Sequence, residues 1–223
     1  MKYKDYIYLD YAATTPLDTR VEEAFLPYLE DKFGNPGSLH KPGQDAITAV
    51  DDARQKIADI LNVDFHEVIF TGSATEANNL ILRGTVKKAV SEGVKKPKLI
   101  ISSIEHPSVL NTAQDLEKEG VEVKYLKVDK DGFVDPHKLK EELNSRTVLV
   151  SVMYANNEIG TIQPVQKIAE IVKNFRDSET TFPVFHTDAV QAFQYCSSDF
   201  EFDAMTLSAH KIYGPKGIGL LIN

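Results

Sequence analysis

Apolar and polar positions alternate along this chain in two rhythms. Between residues 44 and 61, Ile47, Val50, Ala53, Ile57 and Ile60 recur at helical spacing, which predicts a helix with one apolar face. Helical patterns also cover 74–91, 107–119, 136–144 and 164–177. Short apolar runs stand at 67–70, 98–102, 121–126, 147–152, 183–187, 203–207 and 217–222, and they have the length of buried strands. Near the start, residues 18–31 read as a helix with Asp18 as its cap and a kink at Pro27. Residues 33–43, FGNPGSLHKPG, hold three glycines and two prolines and read as a long loop.

Strands alternating with helices predict right-handed βαβ units and a mainly parallel sheet covered on both faces. The last strand follows Lys211 with no room for a helix, which predicts an antiparallel neighbour. The fold class expected is therefore α/β, a three-layer sandwich around a seven-stranded mixed sheet. Ligands of such sheets bind beyond the carboxyl ends of the strands.

The 223 residues carry 25 basic and 33 acidic side chains, a net charge of −8. With no basic stripe, nucleic acid is not the expected partner. No apolar run approaches a membrane span, and the N-terminus MKYKDYIYLD has no apolar core of a signal peptide. A single cysteine, Cys196, excludes an internal disulfide framework and a cysteine-based metal site, and the expected compartment is the cytoplasm.

Chemistry-bearing residues fall just after the strands. The run FDAMTLSAHKIYGPKGIGLLI at 202–222 delivers Ser208, His210 and Lys211 to a turn. A lysine where a buried strand ends can lose its charge and become a nucleophile. Serine and histidine beside it can grip an anion, the layout a pyridoxal phosphate (PLP) site needs; a surface lysine on a turn is the alternative. After the first strand, Thr71-Gly72-Ser73-Ala74-Thr75-Glu76 opens a helix. Ser73 and Glu76 match a capping box, and the backbone N–H groups around Ala74, with the Thr75 hydroxyl, can seat a phosphate.

After the second strand stands His106, an imidazole suited to stack on a pyridine ring and to shuttle protons. After the fourth, Asn156 can donate to a ring oxygen, or belong to an ordinary polar loop. After the fifth, Asp188 can pair with a protonated pyridine nitrogen, cap the following turn, or both, and Gln191 can reach the same oxygen as Asn156. Other matches fail. DKDG at 129–132 lacks the rest of a calcium loop, Gly214, Gly217 and Gly219 precede a strand, and the histidines lack metal spacing. No metal is expected. Cys196 has no flanking base and reads as an ordinary thiol.

The segments YLDYAATTP at 8–16, FGNPGSLH at 33–40, ATEANNL at 74–80, EHPSVL at 105–110, NNEIGTIQP at 156–164, TDAVQA at 187–192 and SAHKIYGPKGIG at 208–219 run in order along nearly the whole chain. Together they resemble the N-terminal part of class I cysteine desulfurases, in the class V aminotransferase group of PLP enzymes. The resemblance implies PLP fold type I, with residues 1–15 contributing to a small domain and 16–223 forming the PLP-binding large domain. It implies Lys211 as the Schiff-base lysine and His106 as the ring-stacking residue. It implies Asp188 as partner of the ring nitrogen, Gln191 and Asn156 as ring contacts, and Ala74, Thr75, Ser208 and His210 at the phosphate.

The reaction implied converts L-cysteine to L-alanine and an enzyme persulfide, passed to a sulfur acceptor or iron–sulfur scaffold protein. Two departures stand out. Thr71-Gly72-Ser73 replaces the usual Thr-Ser-Gly. The family's C-terminal small domain, with the persulfide-forming cysteine and the substrate-carboxylate arginine, is not in this sequence, and Cys196 matches neither. The expected partner is therefore a second copy or a complementary C-terminal chain, and Tyr6, Tyr8 and Tyr11 are expected on uncovered surface. A PLP-binding scaffold and a selenocysteine lyase are the alternative readings.

Overall fold

The computed structural model describes residues 7–176, 182–198 and 200–223. Each apolar run becomes a strand: β1 (Val68–Thr71), β2 (Lys98–Ser102), β3 (Glu122–Leu126), β4 (Thr147–Ser151), β5 (Val184–Asp188), β6 (Ala204–Ser208) and β7 (Gly219–Ile222). One seven-stranded sheet results, in the order β1-β7-β6-β5-β4-β2-β3. β2 pairs in parallel with β3 and β4, β4 with β5, and β5 with β6. β7 runs antiparallel between β6 and β1. Its short connection to β6 cannot hold a crossover helix, and that forces the reversal.

The described residues form six helices, α1 (Thr19–Phe25), α2 (Lys41–Leu61), α3 (Ala74–Ser91), α4 (Pro107–Lys118), α5 (Pro136–Glu142) and α6 (Val165–Phe175), of which α2 to α6 cover the sheet and α1 buries no residue. Successive strand residues point to opposite faces. Leu99, Ile101 and Leu149 pack with Leu82, Val109 and Leu116 of α3 and α4. Ile100, Val150 and Phe185 turn the other way, against Leu139, Ile168 and Val172 of α5 and α6. On that same side α2 brings Ala58 and Leu61 onto Val68, Met205 and Leu207. The result is the expected three-layer sandwich.

The N-terminal region departs from expectation in two places. α1 keeps its Asp18 cap, whose Oδ1 accepts from Arg20 N at 2.8 Å, but ends at Phe25. A 3-10 turn over Leu26–Tyr28 takes over, because Pro27 has no N–H to continue the helix. α2 begins at Lys41, inside the predicted loop, capped by His40 with Pro42 in its first turn. Proline is tolerated there, since the first-turn N–H groups lack helical partners anyway. The sequence DKDG is a turn, as expected: Asp129 Oδ1 accepts from the backbone N–H groups of Asp131 and Phe133, both at 2.9 Å.

Tyr8 and Tyr11 are exposed, while Tyr6 and residue 177, the predicted end of α6, lie outside the described residues. Among the described residues no helix is long and apolar enough to cross a membrane. Nor does any group of three His, Cys, Asp or Glu there have the placement to hold a metal.

Candidate active site

β1, β2, β4, β5 and β6 run in one direction, so their carboxyl ends open on one rim. A cavity of about 610 Å³ lies there, within the usual size of small-molecule sites. It is lined by Ala74, Thr75, His106, Asp188, Gln191, Ser208, His210 and Lys211, so eight of the nine predicted site residues converge. A larger, open groove of about 1030 Å³ lies on the opposite rim, between the end of α2, α6 and residues 197–198 and 200–203, and contains none of them.

The N-terminal segment forms one wall. Thr15 N donates to His210 O at 2.9 Å, Tyr213 N donates to Thr15 Oγ1 at 2.8 Å, and Asp18 N donates to Tyr213 O at 3.0 Å. These bonds strap residues 12–18 across the turn after β6. Lys211 Nζ then donates to the carbonyls of Ala12 and, at 2.8 Å, Ala13, and Gln191 Nε2 donates to Ala12 O at 2.7 Å. Burial lowers the Lys211 pKa from its ordinary value, while the carboxylates of Asp10 and Asp188 oppose the shift. A lysine so placed is an amine whose proton is easier to remove than that of a surface lysine.

At the start of α3, Ser73 Oγ accepts from Glu76 N at 3.1 Å, half of the predicted capping box. The reciprocal bond goes one residue early, because Glu76 Oε2 accepts from Gly72 N at 2.7 Å. Ala77 N bonds Ser73 O, so the N–H groups of Ala74 and Thr75 are the ones left without a partner among the described residues. Two such donors at the positive end of an 18-residue helix suit an anion. Gly219 lets β7 approach this turn: a Cβ there would stand 2.3 Å from Ser73 C and 2.6 Å from Ala74 N.

At the opposite wall His106 caps α4, its Nδ1 accepting from Ser108 N at 3.1 Å and lying 2.8 Å from Ser108 Oγ. Asn78 Nδ2 donates to Ser108 Oγ and to Asp188 Oδ2, each at 2.8 Å. Val190 N donates to Asp188 Oδ1 at 3.0 Å. Asp188 is therefore a buried carboxylate and the cap of the turns that follow β5. Burial raises its pKa, and the bonds from Asn78 and Val190, with the electrostatic influence of nearby His106 and Lys211, pull it back. Burial also lowers the His210 pKa, helped by Lys211 and Lys216.

Asn156 is the predicted residue that does not face the cavity. Its Oδ1 accepts from the N–H groups of Glu158 and Ile159 at 2.9 and 3.0 Å, and its Nδ2 donates to Ile104 O at 2.9 Å. The amide is consumed in closing its own loop, and Asn157 lines the cavity instead. The signal was present: an asparagine two and three residues ahead of turn N–H groups, before Gly160, is an Asx-turn. Asn78 and Ser108 were also missed, since Asn78 lies one turn inside α3 and Ser108, second in α4, reads as an ordinary first-turn serine.

The cavity fits PLP by its donor set. It brings together a half-buried lysine amine, a buried carboxylate opposite, and a helix start with spare N–H groups.

The sequence profile of the family described as Aminotransferase class-V matches residues 7–223. A cysteine desulfurase IscS of Dictyoglomus turgidum is 45% identical over 218 residues, covering 96% of this chain and 53% of that protein. A mitosomal cysteine desulfurase of Trachipleistophora hominis is 43% identical, over 96% of this chain and 48% of its own length. Among solved structures, one described as SspA in complex with cysteine superposes with a TM-score of 0.88 at 39% identity, covering 97% of this chain and 61% of that one. The chain thus spans about half the length of the curated relatives it matches.

Proposed function

Because this chain belongs to the class-V aminotransferase family, whose cysteine desulfurases are PLP-dependent, we propose that it is the PLP-binding large domain of a cysteine desulfurase. The observation that carries the reading is the convergence of Lys211, His106, Asp188 and the start of α3 on one cavity. The fold is that of PLP fold type I. On this reading residues 1–15 contribute to a small domain and 16–223 form the large domain.

PLP, when bound, supplies an electron sink for negative charge at the substrate Cα. Lys211 Nζ would hold the cofactor through its aldehyde carbon and would be the group that moves the proton at the substrate Cα. Asp188 would keep a proton on the ring nitrogen, and the bonds from Asn78 and Val190 keep its oxygens aimed. His106 would lie against the ring and could pass protons through Nε2, the nitrogen not used in capping α4. Gln191 would contact the ring side, with Asn157 on the cavity wall where Asn156 was expected. Ala74, Thr75, Ser208 and His210 would hold the phosphate.

The substrate is L-cysteine, converted to L-alanine with sulfur passing to an acceptor or iron–sulfur scaffold protein. The cysteine in a structurally similar protein favours this over selenocysteine. The working form is a homodimer, or a pairing with a complementary chain, in the cytoplasm. Exposed Ile7, Leu9, Phe33 and Leu39 support a partner at that surface.

Borohydride reduction after PLP addition tests the reading. The label is expected on Lys211, and Lys211→Ala is expected to lose both label and yellow colour. Equal PLP binding by the variant refutes the assignment. Sulfide release from cysteine by this chain alone is expected to be slight.

A further inference from the structure

Beside His106, and outside the roles assigned above, lies a carboxyl group with an unusual environment. Glu105 is 3% exposed. Both of its hydrogen bonds fall on one oxygen: Oε1 accepts from Ser102 Oγ at 2.5 Å and from Met153 N at 2.7 Å. Oε2 is buried and has no hydrogen-bond partner among the described residues. A carboxylate would leave half of its negative charge on a bare oxygen in a dry interior, at several kcal/mol for an ion of this kind. An acid carrying its proton on Oε2 keeps both bonds to Oε1 and leaves only an unpartnered hydroxyl, which costs far less.

The surroundings give Glu105 a task. Ser102 ends β2, and Met153 lies just past β4. The turn from Ile104 to His106 is tied to the loop after β4 twice, through Glu105 Oε1 to Met153 N and through Ile104 O to Asn156 Nδ2. Of the titratable groups facing Glu105 from other elements, Asp188 at the end of β5 acts on it; β2 and the loop after β4 present only the Ser102 hydroxyl and the Met153 N–H. His106 is its neighbour on the same turn. The charge of Asp188 disfavours ionisation of Glu105, adding to the cost of burial. Asp188 has a donor on each oxygen, and Glu105 has none on Oε2.

We infer that Glu105 is a positioning residue held as a neutral acid: it fastens the His106 turn to the loop after β4 and leaves the negative charge of the site to Asp188. Burial agrees, pushing the Glu105 pKa up to about 8, with the Ser102 and Met153 bonds working the other way and Asp188 adding to the rise. The role in the site rests on the PLP reading above; the neutral acid itself does not.

Urea unfolding of the 223-residue chain between pH 5 and 9 tests it, compared with Glu105→Gln, whose amide mimics the neutral acid. The folded state keeps a proton that the unfolded glutamate releases above its ordinary value of about 4.3. Stability from this group is complete below that value and lost as pH rises toward 8. The wild-type folding constant, relative to Glu105→Gln, is expected to fall about tenfold per pH unit across roughly pH 5 to 8, then level off. Parallel curves overturn the proposal.

Should Glu105→Gln not fold, Ser102→Ala serves instead. It removes a donor that favours the ionised form, so the decline is expected to extend to higher pH than in the wild type, and an unchanged upper limit overturns the proposal. With PLP added, the wild-type dissociation constant is expected to rise several-fold relative to Glu105→Gln above pH 8. An equal pH dependence overturns the positioning role. PLP binding by neither chain defeats the cofactor reading, whereas the unfolding curves decide the neutral acid without PLP.

Discussion

The sheet and the N-terminal forty residues use apolar side chains in opposite ways. In the sheet, Leu99, Ile100, Ile101 and Leu149 are fully buried. In the N-terminal region α1 buries no residue, and Ile7, Leu9, Phe33 and Leu39 are 88%, 86%, 81% and 91% exposed. Yet this same region is fastened to the site by Thr15, Lys211 and Gln191. Its attachment is polar and local, whereas the sheet is held by apolar contact between layers. Apolar composition alone does not create a core; a second surface must be present to cover it.

Substitution measures the contrast most sharply in the sheet. Leu149→Ala removes a side chain packed between β4 and the α3–α4 layer, and a loss of about 2–5 kcal/mol is expected by urea unfolding. A loss below about 1 kcal/mol would mean that the two regions do not differ as described.

The second test is pH. His186 is fully buried within the sheet, Nδ1 lying 2.9 Å from Ser151 Oγ and Nε2 3.1 Å from Thr206 Oγ1. Burial pushes its pKa down to about 3. Unfolded, it takes up a proton near its ordinary value of about 6.5. The folded value is the lower one, so its contribution is complete above about pH 6.5 and lost toward pH 3, at up to about 1.4 kcal/mol per pH unit. Glu105 acts in the opposite sense, so the acid-side loss is read as the difference from His186→Gln, in which it is expected to flatten.

The smallest effect belongs to the N-terminal region. Phe33→Ser with Leu39→Ser is expected to change stability by less than about 0.5 kcal/mol per site. The same pair is expected to shift light scattering toward a smaller species if that surface meets a second copy. A loss of several kcal/mol would show instead that these side chains are packed.

Much of the fold was legible because it rests on local rules. The strand runs, the helix caps at Asp18 and Ser73, the reversal of β7 and the Asp129 turn all follow from spacing, capping and connection length. The start of α2 was not legible, because Pro42 and Gly43 look like loop residues. Gly43 is there for packing: a Cβ would stand 2.2 Å from Ser38 O. Of the candidate site, Lys211, His106, Asp188, Gln191, Ser208, His210, Ala74 and Thr75 could be read from their places after strands, since parallel strands bring their ends to one rim. That Asn156 closes its loop was legible as an Asx-turn, whereas the place of Asn157 on the cavity wall depends on where that loop sits in the fold.

The sequence by itself determined the alternation of strands and helices, the rim that would carry chemistry and the residue types available there. It did so because periodicity, capping and connection length act over a few residues. Tertiary structure alone decided that Asn78 joins Asp188 to Ser108, that Lys211 meets Ala12 and Ala13, and that Glu105 is buried within the electrostatic reach of Asp188. Those facts depend on distances between segments far apart in the chain, and on how much water is left between them.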